Sequence, residues 1–165
     1  MKKLFLALIM AIAPICSFAQ QKIGIVNTQE IMAKLPDVKD ANAKMEQLTK
    51  KYEADLNGMR DEFQKKAEAF TKEKATLVES IRLRKEQELQ DIQNRITSSY
   101  QVMQEDLQKQ QETLLRPIQV KVTDAIKKVG DANACTYVME STMMLYVGST
   151  AVDLTDKVKA SLGIK

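Results

Sequence analysis

The fold is decided by the stretch KIGIVNTQEIM, residues 22–32. Its short apolar run, Ile23–Val26, is followed by Asn27 and then by Glu30, a pattern that predicts one strand leading into a short helix. A single four-residue strand cannot bury its own surface and needs a partner. The next strand-like run starts only at Cys135. The long segment between the two runs therefore has to bring the ends of the chain together.

The first nineteen residues have the pattern of a secretory signal peptide. Lys2 and Lys3 precede an apolar run, and Ser17 and Ala19 place small residues at −3 and −1 of a cut after Ala19. The apolar run contains Pro14 and is shorter than the about 20 residues that a membrane-spanning helix needs. We therefore expect an exported, water-soluble protein that is cleaved after Ala19.

The composition argues against an enzyme and against nucleic-acid binding. There are no histidines, so the commonest general base and metal ligand is absent, and no glycine-rich phosphate loop occurs. Without Lys2 and Lys3 the chain would carry 23 basic against 22 acidic residues, which gives no reason to expect nucleic acid. Cys135, the one cysteine left after loss of Cys16, is expected to be a buried small hydrophobe. We expect no catalytic residue, no cofactor and no metal.

The middle of the chain is predicted to be helical. Between Pro36 and Pro117 there is no other proline and one glycine, Gly58, and the segment is rich in good helix formers. Residues 37–116 carry fifteen basic and sixteen acidic side chains, so the segment is nearly neutral.

Apolar residues recur through this segment in steps of three and four. The stripe is one residue wide per turn, so each helix can bury only a narrow seam against one neighbour. The stripe continues past Pro117, which predicts a kink there rather than a helix end. Its first half consists of Met45, Leu48, Tyr52, Leu56, Met59, Phe63, Ala67 and Phe70. Its second half consists of Val78, Ile81, Leu89, Ile92, Ile96, Tyr100, Met103, Leu107, Leu114, Ile118, Val122, Ala125 and Val129.

Two structures satisfy this periodicity, an unbroken rod and an antiparallel helical hairpin. The weakest stretch, residues 71–86, loses apolar positions to lysine and contains helix-disfavouring Thr and Ser. Because the N-terminal strand needs a C-terminal partner, we favour a hairpin over residues 37–129 with its tip near 75–80. A swapped assembly of rods would also bring the ends together.

The C-terminal part is predicted to supply the partner strands. Residues 135–139 alternate in character, and residues 143–149, MMLYVGS, form a second strand-like run after a three-residue connection, which predicts a β-hairpin. Asp153 or Thr155 can then cap a short helix that Gly163 ends.

The sequence therefore predicts an α+β fold in which the helical hairpin projects from a small β-body. The body would contain residues 20–36 and 130–165, and a domain this small often needs oligomerisation to be stable. The candidate residues of this oligomerisation body are Ile23, Ile25, Tyr137, Met139, Leu145 and Val147.

The order of these pieces resembles the Skp/OmpH family of periplasmic chaperones over nearly the whole mature chain. The resemblance is carried by the strand KIGIVN, the segment RPIQVKVTDAIKKVG that follows the long helices, the strand region ACTYVMES, and the closing DLTDKVKASL. It implies a periplasmic homotrimer whose helical arms enclose a cavity and hold unfolded outer-membrane β-barrel proteins without ATP. Because the arms here are nearly neutral, we carry over no lipid-binding residues.

The arms offer few candidates for client contact, because the seam is expected to occupy the regular apolar positions. The apolar residues off the seam, and hence the client-facing candidates, are Leu77, Leu83, Val102 and Leu115. A basic run near the tip, Arg82, Arg84 and Lys85, is either a solvated helix face or a weak contact with a membrane surface. The alternative function is a structural coiled-coil or envelope adaptor that holds no client.

Overall fold

The computed structural model describes residues 21–164, so the predicted signal peptide lies outside the described residues. The elements are strand β1 (Ile23–Val26), helices α1 (Thr28–Lys34), α2 (Pro36–Glu73) and α3 (Glu79–Ala132), strand β2 (Tyr137–Glu140), a 3-10 turn (Ser141–Met143), strand β3 (Val152–Asp153) and helix α4 (Thr155–Ser161). The prediction of a mostly helical chain with a long helical region and a small sheet is confirmed.

Helices α2 and α3 run antiparallel, as a series of bonds between their side chains shows. Tyr52 donates a hydrogen bond to Asp106 at 2.5 Å, and Glu62 forms an ion pair with Arg95 at 2.7 Å. Residues later in α2 pair with residues earlier in α3. This order of pairing occurs in an antiparallel hairpin and not in an unbroken rod.

The connection between the two helices occupies residues 74–78. The N–H of Lys74 still donates to the carbonyl of Phe70, and the Lys74 ammonium lies 5.3 Å above the Phe70 ring. The turn falls within the stretch where lysines interrupt the apolar stripe. A helix that has no apolar side chains to bury there gains little stability from continuing.

The three-four stripe supplies the buried side chains of the hairpin. Its most buried members among residues 29–124 are Leu56, Phe70, Ile92, Ile96, Ile118 and Val122. Val78 and Tyr100 depart from the pattern and are exposed, Val78 because it lies in the turn. Helix α3 remains continuous through Pro117. The kink at Pro117 stays a prediction.

The sheet has the order β2-β1-β3, and both pairings are parallel. The ends of the chain therefore meet in one sheet, as predicted. The predicted β-hairpin, however, is wrong: residues 143–149 form no strand, and the third strand is the two-residue β3 on the far side of β1. Parallel strands need a crossover and cannot be joined by a tight hairpin, so the chain between β2 and β3 crosses the sheet as an irregular segment.

Two compact units divide the chain. One contains β1 with residues 125–163, and the other contains residues 29–124. In the first unit the inward face of β1 carries Gly24 and Val26, and the deepest side chains are Leu154 and Val158, which are fully buried.

Candidate functional surfaces

The position of β1 is fixed by the DLTD sequence at residues 153–156. The N–H of Leu154 donates to the carbonyl of Ile25 at 2.8 Å, and the N–H of Asn27 donates to the Thr155 hydroxyl at 3.0 Å. Asp153 accepts the N–H of Thr155, the first residue of α4, at 2.8 Å, but the N-cap residue is Leu154, whose side chain makes no capping bond, and not Asp153 or Thr155 as predicted. These bonds determine which face of β1 points outward.

Glu140, at the end of β2, secures the other side of the sheet. Its carboxylate accepts the N–H of Thr28 at 3.0 Å, at the start of α1, and also the hydroxyl of Thr142 at 3.3 Å. Burial raises the pKa of Glu140, but the hydrogen bonds from Thr28 and Thr142 lower it by more, so the pKa lies below the ordinary glutamate value. The carboxylate therefore serves as a structural cap.

The outward face of the sheet is apolar. Ile23 lies opposite Tyr137 in the β1–β2 ladder, and Ile25 lies opposite Met139. Ile23, Tyr137 and Met139 are exposed, and Ile25 is half-buried. Four of the six candidate body residues are thus brought together as two cross-strand pairs.

The irregular segment after β2 extends this apolar surface. Leu145 is fully exposed, and Tyr146, which the sequence analysis missed, is 83% exposed. A strand would have turned these neighbours to opposite faces, whereas the irregular backbone leaves both in solvent. Met139 and Val147 line an open groove of about 260 Å³ beside Tyr146. We call the set Ile23, Ile25, Tyr137, Met139, Tyr146 and Val147 the sheet-face patch; the exposed Leu145 does not line this groove.

An exposed apolar cluster of this kind is typical of surfaces that contact another protein or a ligand. The patch offers shape and apolar area but no nucleophile, base or charged group.

The four client-facing candidates lie at separate points of the helical hairpin. Leu83 and Val102 are exposed, at 55% and 64%, whereas Leu77 in the turn and Leu115 in α3 are half-buried. Leu83 and Val102 are roughly 28 Å apart along the helix axis. The structure thus does not gather these four side chains into one patch.

The basic run near the turn is partly neutralised by neighbouring carboxylates. Arg82 pairs with Glu79 at 2.5 Å, and Lys85 pairs with Glu73 of α2 at 2.6 Å. The run therefore presents less free positive charge than its sequence suggests, and Lys85 serves to join the two helices.

Two other features are absent from the described part of the chain. Residues 21–164 contain no group of three or more His, Cys, Asp or Glu side chains placed to hold a metal ion. Within the same residues no helix is both long and apolar enough to cross a membrane. Cys135 is a free, half-buried thiol.

Comparison with known proteins agrees with this architecture. The model of the family described as "Outer membrane protein (OmpH-like)" matches residues 22–162. The chain is 24% identical over 137 residues to the chaperone protein Skp of Yersinia enterocolitica, covering 83% of this chain and 84% of that protein. It is 23% identical over 137 residues to the chaperone protein Skp of Pectobacterium atrosepticum, covering 83% and 82%.

A solved structure shares the fold. The crystal structure of an outer membrane chaperone (OmpH-like) from Caulobacter crescentus superimposes with a TM-score of 0.76 at 19% identity, covering 86% of this chain and 83% of that one. Since the family match spans most of the chain, from the first strand to the last helix, this protein belongs to the OmpH-like outer membrane protein family.

Proposed function

We propose that this protein is an ATP-independent holdase chaperone of the periplasm. It binds unfolded outer-membrane β-barrel proteins between helical arms and keeps them soluble during transit. Membership of the OmpH-like family supports this proposal, and so do the two similar proteins named as chaperones. The N-terminal segment is the export signal, cut after Ala19.

The observation that carries the proposal is the construction of the helical hairpin. Its two long helices share a seam one residue wide, and its remaining faces are in water. A helix pair held by so few buried contacts opens locally at low free-energy cost. Arms of this kind confine a client through many weak contacts without ordering it, which avoids much of the entropic cost of a fixed interface.

We further propose that the working form is a homotrimer assembled through the sheet-face patch. The unit that contains the sheet is small, and a domain of this size gains stability from association. An apolar face left in water by one copy is buried when other copies cover it. Near the turn between α2 and α3, Arg82, Arg84 and Lys85 make a weak contact with a membrane surface.

The test is a solubility assay with the mature chain. A β-barrel protein unfolded in urea is diluted into buffer with and without this protein, in the absence of nucleotide, and aggregation is followed by light scattering. A holdase suppresses aggregation at a stoichiometric ratio and sediments together with the client. A protein that forms the trimer but leaves aggregation unchanged is an envelope adaptor, and that result overturns the chaperone proposal.

A further inference from the structure

A second regularity runs along α3 beside its buried seam. Counting forward from Gln87 to Gln111 in alternating steps of three and four residues meets eight positions, which are six glutamines, Asn94 and Thr97. None of the eight is charged, although charged residues make up 28% of the chain. We call these eight positions the amide stripe.

The eight side chains lie along one side of the helix. Steps of three and four average 3.5 residues, slightly fewer than the 3.6 residues of one helical turn, so the positions rotate by about a third of a turn between Gln87 and Gln111 and stay within one side of the helix. All eight are exposed. The same steps lead to Leu83 before the stripe and to Leu115 after it, so a leucine stands at each end. From Leu83 to Leu115 the axial distance is roughly 48 Å.

The opposite side of α3 carries the bonds to α2. With Ile92 and Ile96 marking the seam, Glu88, Arg95 and Asp106 lie about a fifth of a turn to one side, and the stripe lies on average about two fifths of a turn to the other. These three residues bond to Lys66, Glu62 and Tyr52 of α2 respectively. These three bonds thus lie on the side of α3 away from the amides, whereas Glu86, which pairs with Lys74 of the turn, lies on the side of the stripe.

Part of the hydrogen-bonding capacity of the stripe is unused. Gln87, Gln90, Thr97 and Gln104 each donate one hydrogen bond to a neighbour on α3. The side chains of Gln101, Gln108 and Gln111 make no hydrogen bond within residues 21–164. These free amides occupy the half of the stripe nearer to Leu115.

A shallow groove of about 470 Å³ lies at this end of the stripe. It is lined by Gln108, Gln111, Glu112, Leu115, Arg116 and Gln119. The one acidic and the one basic residue in this lining balance each other, so the groove as a whole is neutral.

A carboxamide offers the same donor and acceptor pair as a peptide group. A row of carboxamides can therefore pair with an extended backbone whatever its side chains are. Removing uncharged amides from water also costs much less than removing ions. Because the stripe carries no charge, it does not select a client by charge.

We propose that the amide stripe is the surface on which an extended segment of an unfolded polypeptide lies, held through its backbone groups and by apolar contacts at Leu83 and Leu115. A span of roughly 48 Å corresponds to about 14 residues of extended chain. This inference rests on the proposed holdase function and names the part of the client that is recognised, its main chain.

The test compares two sets of substitutions with a matched control. The first set is Gln101→Ala, Gln104→Ala, Gln108→Ala and Gln111→Ala, which removes the amides and favours the helix. The second set changes the same four residues to Glu, which keeps their size and adds four negative charges.

The control makes the same net charge change of −4 on the other side of α3, by adding three carboxylates and removing one ammonium group. It consists of Ser98→Glu, Lys109→Glu and Thr113→Glu, all at exposed positions. Helix content is checked by circular dichroism, and binding of a urea-unfolded β-barrel protein is measured by fluorescence anisotropy in low salt.

Both glutamine sets are expected to bind the client about tenfold more weakly, the effect of losing one or two hydrogen bonds, and the control should bind within about twofold of the wild type. Full binding by the Ala set overturns the inference, as does an equal loss in the control. A change of oligomeric state in the glutamine variants, seen by sedimentation, would also overturn it, because the stripe would then be an interface between copies. If the wild-type protein itself binds no client, the proposed function fails, which is a separate result.

Discussion

Leu154 lies directly against Gly24. A β-carbon placed on Gly24 would come 2.7 Å from Cδ1 of Leu154, 3.2 Å from Sγ of Cys135 and 3.3 Å from Cγ2 of Val138. Leu154 is fully buried, so its side chain has little room to move aside. The absence of a side chain at Gly24 therefore lets the DLTD segment close over β1.

Gly24→Ala is expected to lower the free energy of unfolding by about 1 to 3 kcal/mol, because overpacking displaces side chains in a filled core. Urea denaturation followed by circular dichroism measures the change. The matched control is Gly58→Ala in α2, where a β-carbon meets nothing within 4 Å. The control should gain roughly 0.5 to 1 kcal/mol, because alanine favours the helix. Equal stability of the two variants would contradict the close packing at Gly24.

Ala134 adopts a backbone conformation that disfavours residues with a β-carbon. Its φ is 53°, and it lies just beyond the end of α3. Glycine is the usual residue in this left-handed position after a helix, so Ala134→Gly should stabilise the protein by about 0.5 to 1 kcal/mol. Ala132→Gly, inside the last turn of α3, should instead destabilise it by a similar amount. Thermal or urea denaturation would distinguish the two, and a loss of stability in Ala134→Gly would refute this interpretation.

The helical part of the fold could be predicted from the sequence because its signals are local and repeated. The seam residues from Leu56 to Val122 follow a periodicity that many turns reinforce, and the turn at 74–78 falls where the periodicity weakens. The short helix α4 was also predictable, because Asp153, which accepts the first N–H of the helix, and Gly163, which follows its end, can both be read from the sequence.

The sheet could be predicted only in part. The pairing of Ile23–Val26 with the C-terminal region could be predicted, because a short strand needs a partner. The parallel direction of this pairing could not be predicted. A four-residue strand has too short a pattern to determine whether it pairs parallel or antiparallel. Tertiary contacts, such as that of Leu154 with Gly24, decide the direction of pairing. For the same reason the run 143–149 looked like a strand although it is irregular. No local signal marked Tyr146 as part of the exposed patch.

The antiparallel pairing of α2 and α3 predicts a specific crosslink. The variant combines Cys135→Ser with Glu62→Cys and Arg95→Cys. A short bifunctional thiol reagent should join the two new cysteines within one chain, because Nη2 of Arg95 lies 2.7 Å from Oε2 of Glu62 in the native protein. The control pair, Glu62→Cys with Gln110→Cys, lies roughly 22 Å further along α3 and should not react. In an unbroken rod, residues 62 and 95 would be about 50 Å apart. A crosslink between chains, seen as a doubled mass, would indicate swapped rods and contradict the hairpin.

Glu140 predicts a pH dependence of stability. Because its pKa in the folded protein lies below the ordinary value, its contribution is fully present above the unfolded-state pKa and is lost as the pH falls through the folded-state pKa. We expect the stability advantage of the wild type over Glu140→Gln to shrink below about pH 4.3, the ordinary glutamate pKa. Urea midpoints measured down to about pH 3 test this. The control, Glu112→Gln at an exposed position of α3, should show the same dependence of the urea midpoint on pH as the wild type. If Glu140→Gln also shows the wild-type dependence, the role of the Glu140 carboxylate is refuted.

The sheet-face patch predicts which substitutions separate the proposed trimer. Met139→Lys places a charge on the outward face of β2, where it is harmless to the fold of one copy because the side chain is exposed there. Burial of a methionine contributes about 1.5 to 3 kcal/mol, so the dissociation constant should rise by roughly ten- to a hundredfold or more. The measurement is sedimentation equilibrium over a range of concentrations. Val120→Lys is the matched control, since Val120 is similarly exposed but lies on α3 within the other unit. If Met139→Lys associates as strongly as the wild type while Val120→Lys dissociates, the interface lies on the helical hairpin and the assignment of the patch is wrong.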